Sequence, residues 1–297
     1  MLGLAGLVAG TAFGWWAAGG PFPDGDALRN LGRPAPAADA QPAPEIAPVS
    51  APVVDGNQQA LRAAVARGET LTIGVFGDSM ADGLWAALYR RFRDEPGVEV
   101  IRYSRPSTGL ARYDYVNVAD QTAGQLAERR IDIAVFIIGA NDRQAMQGDG
   151  AVLPYGEDAW RRAYGDRAQA LVSQARAQGA AVYWVGLPRM RSAGAEAGAE
   201  LVNAIFEQRG QTGGYPYIDT QAATSDANND YAAYLPSGPG GARQLVRASD
   251  GVHMTMNGYL LLAEPVERAI RSDLEEARTS VQPQPASPPS PPMGSEA

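Results

Sequence analysis

The 297-residue sequence contains no cysteine and no lysine, because all 25 of its basic residues are arginine. Without cysteine, the chain forms no disulfide and offers no thiolate for catalysis or for a zinc or iron–sulfur site. Without lysine, it has no Walker-type phosphate loop, no Schiff-base lysine and no serine–lysine dyad. The formal net charge is −8 and no basic run occurs, which argues against general nucleic-acid binding.

Histidine is almost as rare, since His253 is the only one in the chain. A two-histidine metal site of the H-E-x-x-H type therefore cannot be built, and any reaction that needs an imidazole must use this residue. We expect neither a metal nor a cofactor. Most lone histidines are structural or simply exposed, so His253 by itself does not indicate catalysis.

The two ends of the chain differ in composition from its middle. Residues 1–20 contain an uncharged apolar stretch, Leu2–Ala18, which is long enough for a signal segment or a marginal membrane anchor. Residues 21–57 are rich in proline and alanine and residues 279–297 in proline, so we expect a disordered linker and a disordered tail. We favour an uncleaved membrane anchor, and hence an exported protein of the periplasm or cell envelope.

Residues 58–278 alternate between strand and helix patterns, which predicts one α/β domain. The strand candidates are Leu71–Phe76, Val98–Tyr103, Ile131–Ile138, Ala181–Leu187 and Tyr215–Ile218. The helix candidates are Gln58–Arg67, Met80–Arg93, Val116–Arg130, Glu157–Gln178, Ala195–Arg209 and Met256–Arg278. The nearly continuous apolar run Ile131–Ile138 is typical of a central parallel strand that is covered on both faces. The alternation indicates right-handed β–α–β units in a three-layer sandwich.

Polar residues and glycines follow the predicted strands at the points where the strands end. Ser79 follows the first strand, Gly109 lies in the loop after the second, and Asn141 follows the third, while Asp250 and His253 precede the last helix. Because the carboxyl ends of parallel strands share one edge of a sheet, we expect these residues to meet in one crevice.

This set of residues contains what acyl transfer needs. Ser79 would be the nucleophile, His253 the general base, and Asp250 the carboxylate that orients the base. The N–H groups of Ser79 and Gly109 and the side-chain amide of Asn141 would hold the oxyanion. Each also has an ordinary interpretation, with Ser79 as a helix cap, His253 as a structural residue and Asn141 as a turn residue.

Four residues near the same edge are weaker candidates for substrate binding, namely Asp78, Arg112, Tyr113 and Arg143. Arginine binds carboxylates and phosphates, and tyrosine stacks on sugar rings. Solvated arginines and tyrosines that simply pack are at least as common. We expect Asp142 to brace its turn rather than to take part in the chemistry.

Four blocks of the sequence, in order, are Gly77-Asp78-Ser79, Gly109, Gly139-Ala140-Asn141-Asp142 and Asp250-Gly251-Val252-His253. They resemble the four blocks of the SGNH (GDSL-type) serine hydrolases. The segments GANDRQ and YWVGLPRMR resemble an exported bacterial branch of that family, whose substrates are unsettled. The resemblance spans Leu71–Arg278, although the first block reads GDSM rather than GDSL. It implies a five-stranded, parallel, flavodoxin-like sheet of order 2-1-3-4-5, and ester hydrolysis or acyl transfer without a metal. It also implies the catalytic and oxyanion roles given above.

The sequence therefore predicts a cell-envelope serine esterase or O-acyltransferase that works through an acyl-enzyme. The favoured substrate is an O-acylated carbohydrate, with O-acetyl as the acyl group, or another ester. One alternative is a catalytically idle module that binds a glycan or a protein, and the intact Ser79, Asp250 and His253 argue against it. The other is a lipase or thioesterase for longer acyl chains, which would need an apolar channel. No oligomeric state is predicted.

Overall fold

The computed structural model describes residues 55–148, 150–236 and 239–281. The apolar segment 1–20, most of the linker and most of the tail lie outside the described residues, so the membrane anchor stays a prediction. None of the helices in the described part of the chain combines the length and the apolar character needed to cross a membrane.

Strands and helices alternate along the described chain. In order they are α1 (Asp55–Ala66), β1 (Leu71–Gly77), α2 (Ser79–Phe92), β2 (Val98–Ser104), α3 (Val118–Glu128), β3 (Ile133–Ile137), β4 (Met146–Gln147), β5 (Val152–Leu153), α4 (Asp158–Ala177), β6 (Ala181–Val185), α5 (Ala193–Gly213), β7 (Tyr217–Ile218), α6 (Gln221–Thr224), β8 (Tyr234–Pro236), β9 (Arg243–Leu245) and α7 (Met256–Val281). A 3₁₀ turn, Pro239–Gly241, lies between β8 and β9. Every predicted element is present, and its ends shift by at most four residues.

Five strands form the central sheet in the order β2-β1-β3-β6-β7, and every pair in it is parallel. When only these five strands are numbered, the order is 2-1-3-4-5. Helices α1, α2 and α7 pack together as one layer, and α3, α4 and α5 form another. The predicted three-layer, flavodoxin-like α/β fold is therefore confirmed.

An aromatic ladder aligns the strands near their carboxyl ends. Phe76 of β1 stacks on Tyr103 of β2 at 4.9 Å between ring centroids, and on Phe136 of β3 at 5.1 Å. Phe136 in turn stacks on Trp184 of β6 at 5.4 Å. These residues are register partners in the sheet. Four strands therefore end at nearly the same level, and their loops leave the sheet side by side.

The described helices extend slightly beyond the predicted domain of residues 58–278. Residues 55–57, which the sequence assigns to the linker, form the start of α1, because the Asn57 side chain donates to the Val182 carbonyl (2.8 Å) and accepts from the Val182 N–H (3.0 Å). Residues 279–281, assigned to the tail, form the last turn of α7, where the Thr279 and Ser280 hydroxyls donate to carbonyls one turn earlier.

Candidate active site

The predicted catalytic residues, which come from two distant segments of the sequence, meet at the carboxyl edge of the sheet. Ser79 Oγ lies 2.7 Å from Nε2 of His253, and Nδ1 of the same ring lies 2.6 Å from Oδ2 of Asp250. Hydroxyl, imidazole and carboxylate thus lie in series, as in a serine hydrolase triad. The Ser79 side chain is half-buried, and 37% of the His253 side chain and 49% of that of Asp250 are exposed. A substrate can therefore reach all three groups.

The Asp250 carboxylate determines which nitrogen of His253 carries the proton. Oδ1 of Asp250 accepts from the backbone N–H groups of Val252 (2.8 Å) and His253 (2.9 Å). Partial burial acts to raise the pKa of Asp250, but the hydrogen bond from the His253 ring and these two backbone bonds outweigh it and lower the pKa to about 2. An ionised carboxylate only accepts hydrogen bonds, so Nδ1 carries the proton. Nε2 of the neutral ring then accepts the hydroxyl proton of Ser79.

Local sequence places Ser79 at a sharp junction between β1 and α2. Gly77, at the end of β1, has a φ of +140°, and a Cβ there would come within 1.9 Å of the Ile137 carbonyl oxygen, so the position requires glycine. Asp78 accepts from the N–H of Met80 at 2.8 Å and caps α2. The capping role that the sequence leaves open for Ser79 therefore belongs to Asp78, and the Ser79 hydroxyl is free to bond His253.

Asp78 does not lie against the substrate crevice, where the sequence places it as a weak candidate. Its side chain is 0% exposed, because it faces inward to hold the third strand's loop. Oδ2 accepts from the Gly139 N–H at 3.1 Å and, at a longer 3.4 Å, faces Nδ2 of Asn141. Burial raises the pKa of Asp78 to about 6, although these hydrogen bonds act to lower it. Asp78 thus joins the Ser79 turn to the Asn141 turn.

Asp142 makes the corresponding link between the Asn141 turn and the Gly109 loop. Its buried carboxylate accepts from the N–H groups of Leu110 (2.9 Å) and Ala111 (3.0 Å) and from the Tyr164 hydroxyl (2.8 Å). Burial raises the pKa of Asp142 despite these bonds. A Cβ on Gly109 would come within 1.9 Å of Asp142 Oδ1, so the carboxylate packs directly on the glycine backbone.

The three expected oxyanion donors are held by these two carboxylates. The Ser79 N–H is the first of α2 and has no carbonyl partner within the helix. Within the described residues, neither this N–H nor that of Gly109 has a hydrogen-bond acceptor. Nδ2 of Asn141 donates to the Thr108 carbonyl at 2.9 Å, and its other hydrogen-bond partner among the described residues is Asp78, at a long 3.4 Å. One amide hydrogen of Asn141 therefore positions the Gly109 loop, and the second is weakly engaged.

Arg112 and Tyr113 support the Gly109 loop from outside. Nη1 of Arg112 donates to the Ser107 carbonyl at 2.9 Å, and its guanidinium lies 5.2 Å from the ring centroid of Tyr115. Tyr113 packs partly against the core, and the Arg167 guanidinium covers its ring at 4.1 Å. Both side chains therefore interact with neighbouring residues of the protein, and these contacts give no support for a role in substrate binding.

Arg143 lines a small, mostly apolar cavity near the carboxyl edge of the sheet. Its stem crosses α5 at Gly198, where a Cβ would come within 2.5 Å of Arg143 Cδ. The cavity has a volume of about 10 Å³. It is lined by Gly139, Ala140, Arg143, Leu187, Met190, Ala195, Gly198, Ala199 and Val252. Ala140 precedes Asn141 and Val252 precedes His253 in the sequence, but none of Ser79, Asn141, Asp250 and His253 lines the cavity.

Two residues of this region were not expected from the sequence. Tyr164 lies on α4 and donates to Asp142. Arg247 is buried behind the turn of residues 250–253, which carries Asp250 and His253 and is called the triad turn below. There Nη2 of Arg247 faces the Val252 carbonyl at 3.3 Å. Neither has a local signal, because a tyrosine on an amphipathic helix predicts packing and an arginine predicts exposure. Among the described residues, no group of three or more His, Asp or Glu side chains is arranged to hold a metal ion.

Comparison with solved structures finds proteins of similar fold at low identity. A GDSL-like lipase from Bacteroides thetaiotaomicron is 16% identical, with a TM-score of 0.47 over 73% of this chain and 98% of the other. A member of the lipolytic G-D-S-L family from Veillonella parvula is also 16% identical, with a TM-score of 0.49 over 68% and 98%. For a mutant acetylxylan esterase from Geobacillus stearothermophilus the identity is 14% and the TM-score 0.46, over 68% and 94%. These values are too low to support a functional argument.

No curated protein matches the chain. Residues 72–269, about two thirds of the sequence, match a family described as a protein of unknown function, DUF459. The matched region begins in β1 and ends within α7, so it includes the whole candidate active site. The chain therefore belongs to the DUF459 family.

Proposed function

We propose that this protein is a serine ester hydrolase of the SGNH type, which acts through an acyl-enzyme on Ser79. The observation that carries the proposal is the series Ser79 Oγ, His253 and Asp250, with contacts of 2.7 and 2.6 Å. A serine that only caps a helix or fills a turn needs no imidazole beside its hydroxyl. A histidine that is merely exposed needs neither a serine at one ring nitrogen nor an aspartate at the other. The three groups in series, beside two unpaired N–H groups, are what acyl transfer requires.

The first half-reaction forms the acyl-enzyme. Nε2 of His253 takes the hydroxyl proton while Ser79 Oγ forms a bond to the acyl carbon, and the carbonyl electron pair moves onto its oxygen. The N–H groups of Ser79 and Gly109, with the amide of Asn141, stabilise that oxyanion. When the tetrahedral intermediate collapses, the C–O bond to the alcohol breaks, and the imidazolium gives its proton to the departing oxygen.

The second half-reaction repeats these steps with another nucleophile. Nε2 of His253 takes a proton from water, or from an acceptor hydroxyl, as its oxygen attacks the acyl carbon. Collapse breaks the bond to Ser79 Oγ, which recovers its proton from the imidazolium. Asp250 stays ionised throughout and stabilises the imidazolium in both halves. Water as the attacking group gives an esterase, and a sugar hydroxyl gives an O-acyltransferase.

The proposed acyl group is acetyl, in preference to the longer chains of a lipase or thioesterase. A long acyl chain would need an apolar channel that starts at Ser79. The cavity lined by Leu187 and Met190 is not such a channel, because it has a volume of only about 10 Å³ and Ser79 does not line it.

The proposed alcohol component is a carbohydrate of the cell envelope. It is supported by the expected export of the chain, which rests on the apolar N-terminal stretch of the sequence. The exposure of the His253 and Asp250 side chains leaves room for a large substrate at this edge. Mass spectrometry of acyl groups released from envelope fractions, or moved between them, by the wild type and by Ser79→Ala would identify donor and acceptor.

The decisive experiment for the reaction class measures labelling and turnover together. We expect a fluorophosphonate to label the wild type but not Ser79→Ala, and His253→Ala to lose hydrolysis of p-nitrophenyl acetate. In a series of p-nitrophenyl esters, kcat/KM should fall steeply beyond acetate. A folded wild-type protein that neither reacts with the probe nor hydrolyses any ester of the series would contradict the proposal and favour an idle binding module.

A further inference from the structure

We propose that Arg247 is a positioning residue, which ties the turn that carries Asp250 and His253 to the loop after β6 and so holds the His253 imidazole in reach of Ser79. The loss of turnover that we expect when Arg247 is replaced rests on the proposed esterase function. The change that we expect in the position of the His253 imidazole does not rest on that function, and it can be measured without turnover.

Arg247 occupies a position that arginine rarely tolerates. Its side chain is 1% exposed, and it makes no ion pair with a carboxylate of the described residues. Arginine is almost never fully buried unless it is paired, because removing its charge from water costs several kcal/mol. Nε and Nη1 have no hydrogen-bond partner within the described chain, and the Tyr231 ring covers the guanidinium at 4.8 Å. An apolar side chain would fill this space at lower cost.

The contacts of Nη2 explain why an arginine is there. Nη2 donates to the Arg189 carbonyl in the loop after β6. It also faces the Val252 carbonyl at 3.3 Å and the Gly251 carbonyl at 3.5 Å, both in the triad turn. One guanidinium nitrogen thus bonds to both the loop after β6 and the triad turn, two segments that are not paired with each other as strands in the described structure. The Gly251 carbonyl has a second donor in the Arg191 N–H at 3.0 Å, so the Val252 carbonyl depends most on Arg247.

The triad turn is closed at its base next to Arg247. Arg247 and Met254 form an antiparallel bridge, and the Ala248 N–H donates to the His253 carbonyl at 2.9 Å. Gly251, with a φ of +76°, lies within the turn. The carbonyls on the inner side face the guanidinium, and the side chains of Asp250 and His253 are directed outward to Ser79. Loss of the guanidinium would leave the carbonyl next to His253 without its donor and let the turn shift.

A shift of this kind should reduce turnover rather than binding. A misplacement of about 1 Å in a reacting group costs roughly 100-fold in rate. We expect Arg247→Met to lower kcat for p-nitrophenyl acetate by about that factor, with KM changed by less than about twofold. Arg247→Lys should recover part of the loss, because an ammonium group can still donate to these carbonyls.

Arg176 provides a matched control. It is half-buried where Arg247 is fully buried, but like Arg247 it donates to backbone carbonyls, those of Gly213 and Gly214, and lies near a tyrosine ring, 5.9 Å from the Tyr215 centroid. It makes no ion pair within the described residues and lies near the end of α4, far along the chain from the triad turn. Arg176→Met therefore removes a similar group. It should lower the melting temperature and leave kcat unchanged at temperatures where the variant is folded.

The position of the imidazole can be followed by nuclear magnetic resonance, because His253 is the only histidine. In protein labelled with ¹⁵N-histidine, the Nδ1 proton that bonds Asp250 should give one downfield signal. We expect Arg247→Met to move or broaden this signal, and Arg176→Met to leave it in place. Far-ultraviolet circular dichroism of each variant shows that it is folded.

The proposal is overturned if folded Arg247→Met keeps both the wild-type kcat and the wild-type imidazole signal. It is also overturned if the two arginine variants lose activity equally, in proportion to their loss of folded protein. A wild type that hydrolyses no ester contradicts the proposed function alone, and the imidazole signal then still decides the role of Arg247.

Discussion

Two buried carboxylates organise the catalytic edge, while the triad itself is partly exposed. Asp78 joins the Ser79 turn to the turn after β3, and Asp142 joins that turn to the Gly109 loop. Each carboxylate accepts backbone N–H groups that would otherwise be buried without a partner. The positions of the three candidate oxyanion donors thus depend on two buried carboxylates that lie outside the Ser79, His253 and Asp250 series.

Asn141 provides the sharpest test of the oxyanion site. Asn141→Ala removes one side-chain donor and also the bond to the Thr108 carbonyl. We expect kcat for p-nitrophenyl acetate to fall by roughly 100- to 1000-fold, as when one donor is removed from an oxyanion hole. Steady-state kinetics measures the loss, and fluorophosphonate labelling shows whether Ser79 remains reactive. A kcat within twofold of the wild type would assign Asn141 to turn structure alone.

Asp78 predicts an unusual dependence of stability on pH. Burial raises its pKa from 3.8 in the unfolded chain to about 6 in the folded protein. Between these values the folded state holds a proton that the unfolded state has lost, so the free energy of unfolding decreases as the pH rises from 4 to 6. The change amounts to about 3 kcal/mol, and above pH 6 it no longer grows.

The neutral variant Asp78→Asn should lack this contribution. Urea unfolding at pH 4, 5, 6 and 7 gives the free energy of unfolding for each protein, and the difference between the two isolates Asp78 from the other titrating groups. We expect the wild type to lose stability relative to the variant between pH 4 and 6. A difference that is constant over this range would show that the carboxylate does not titrate there.

At the level of secondary-structure elements, the loop after β2 can pack against Asp142 only because residue 109 is a glycine. Gly109→Ala would bring a Cβ within 1.9 Å of Asp142 Oδ1, and the carboxylate is fixed by backbone and tyrosine hydrogen bonds. The loop must therefore move, and its N–H with it. We expect a large loss of kcat, again about 100-fold or more, together with lower stability.

Gly124→Ala is the control for that substitution. Gly124 lies in α3, and nothing lies within 4 Å of the position where its Cβ would be. Alanine should stabilise the helix by about 0.5–1 kcal/mol and leave kcat unchanged. Thermal unfolding and p-nitrophenyl acetate kinetics of both variants test the pair. Equal activity of Gly109→Ala and the wild type would remove this loop from the proposed site.

Much of this arrangement could be predicted from the sequence, because the signals are local. The apolar run before Ser79 and the helical pattern after it predict the junction, and parallel strands require their carboxyl ends to share an edge. The short hairpins β4–β5 and β8–β9 were not predicted, since strands of two or three residues show no periodicity. The start of α1 depends on a bond between Asn57 and Val182, which lie 125 positions apart. A substrate-binding role was expected for Asp78 because nothing in the sequence shows that its side chain is fully buried.

At the scale of the whole molecule, a separate cluster of polar groups lies at the edge of the sheet opposite the candidate active site. Asp132 precedes β3 at the amino edge, where it is 2% exposed. Its carboxylate accepts from the Thr72 N–H at 2.9 Å and pairs with Arg67. The length of β1 separates this cluster from Ser79 by roughly 20 Å. The two edges are joined by a sheet whose central strands β1, β3 and β6 are buried almost throughout, and we expect that the two edges can be perturbed independently.

Asp132→Ala should therefore weaken the fold without slowing the reaction. It leaves the Thr72 N–H without its acceptor and removes the buried one of the two carboxylates that pair with Arg67, since Glu69 remains at 3.8 Å. We expect a cost of about 3 kcal/mol in the free energy of unfolding. For a domain of this size, the melting temperature should fall by roughly 10 °C. At 25 °C, kcat and KM for p-nitrophenyl acetate should equal those of the wild type. A folded variant with reduced kcat would mean that the sheet transmits changes from one edge to the other, because no described contact of Asp132 reaches the triad.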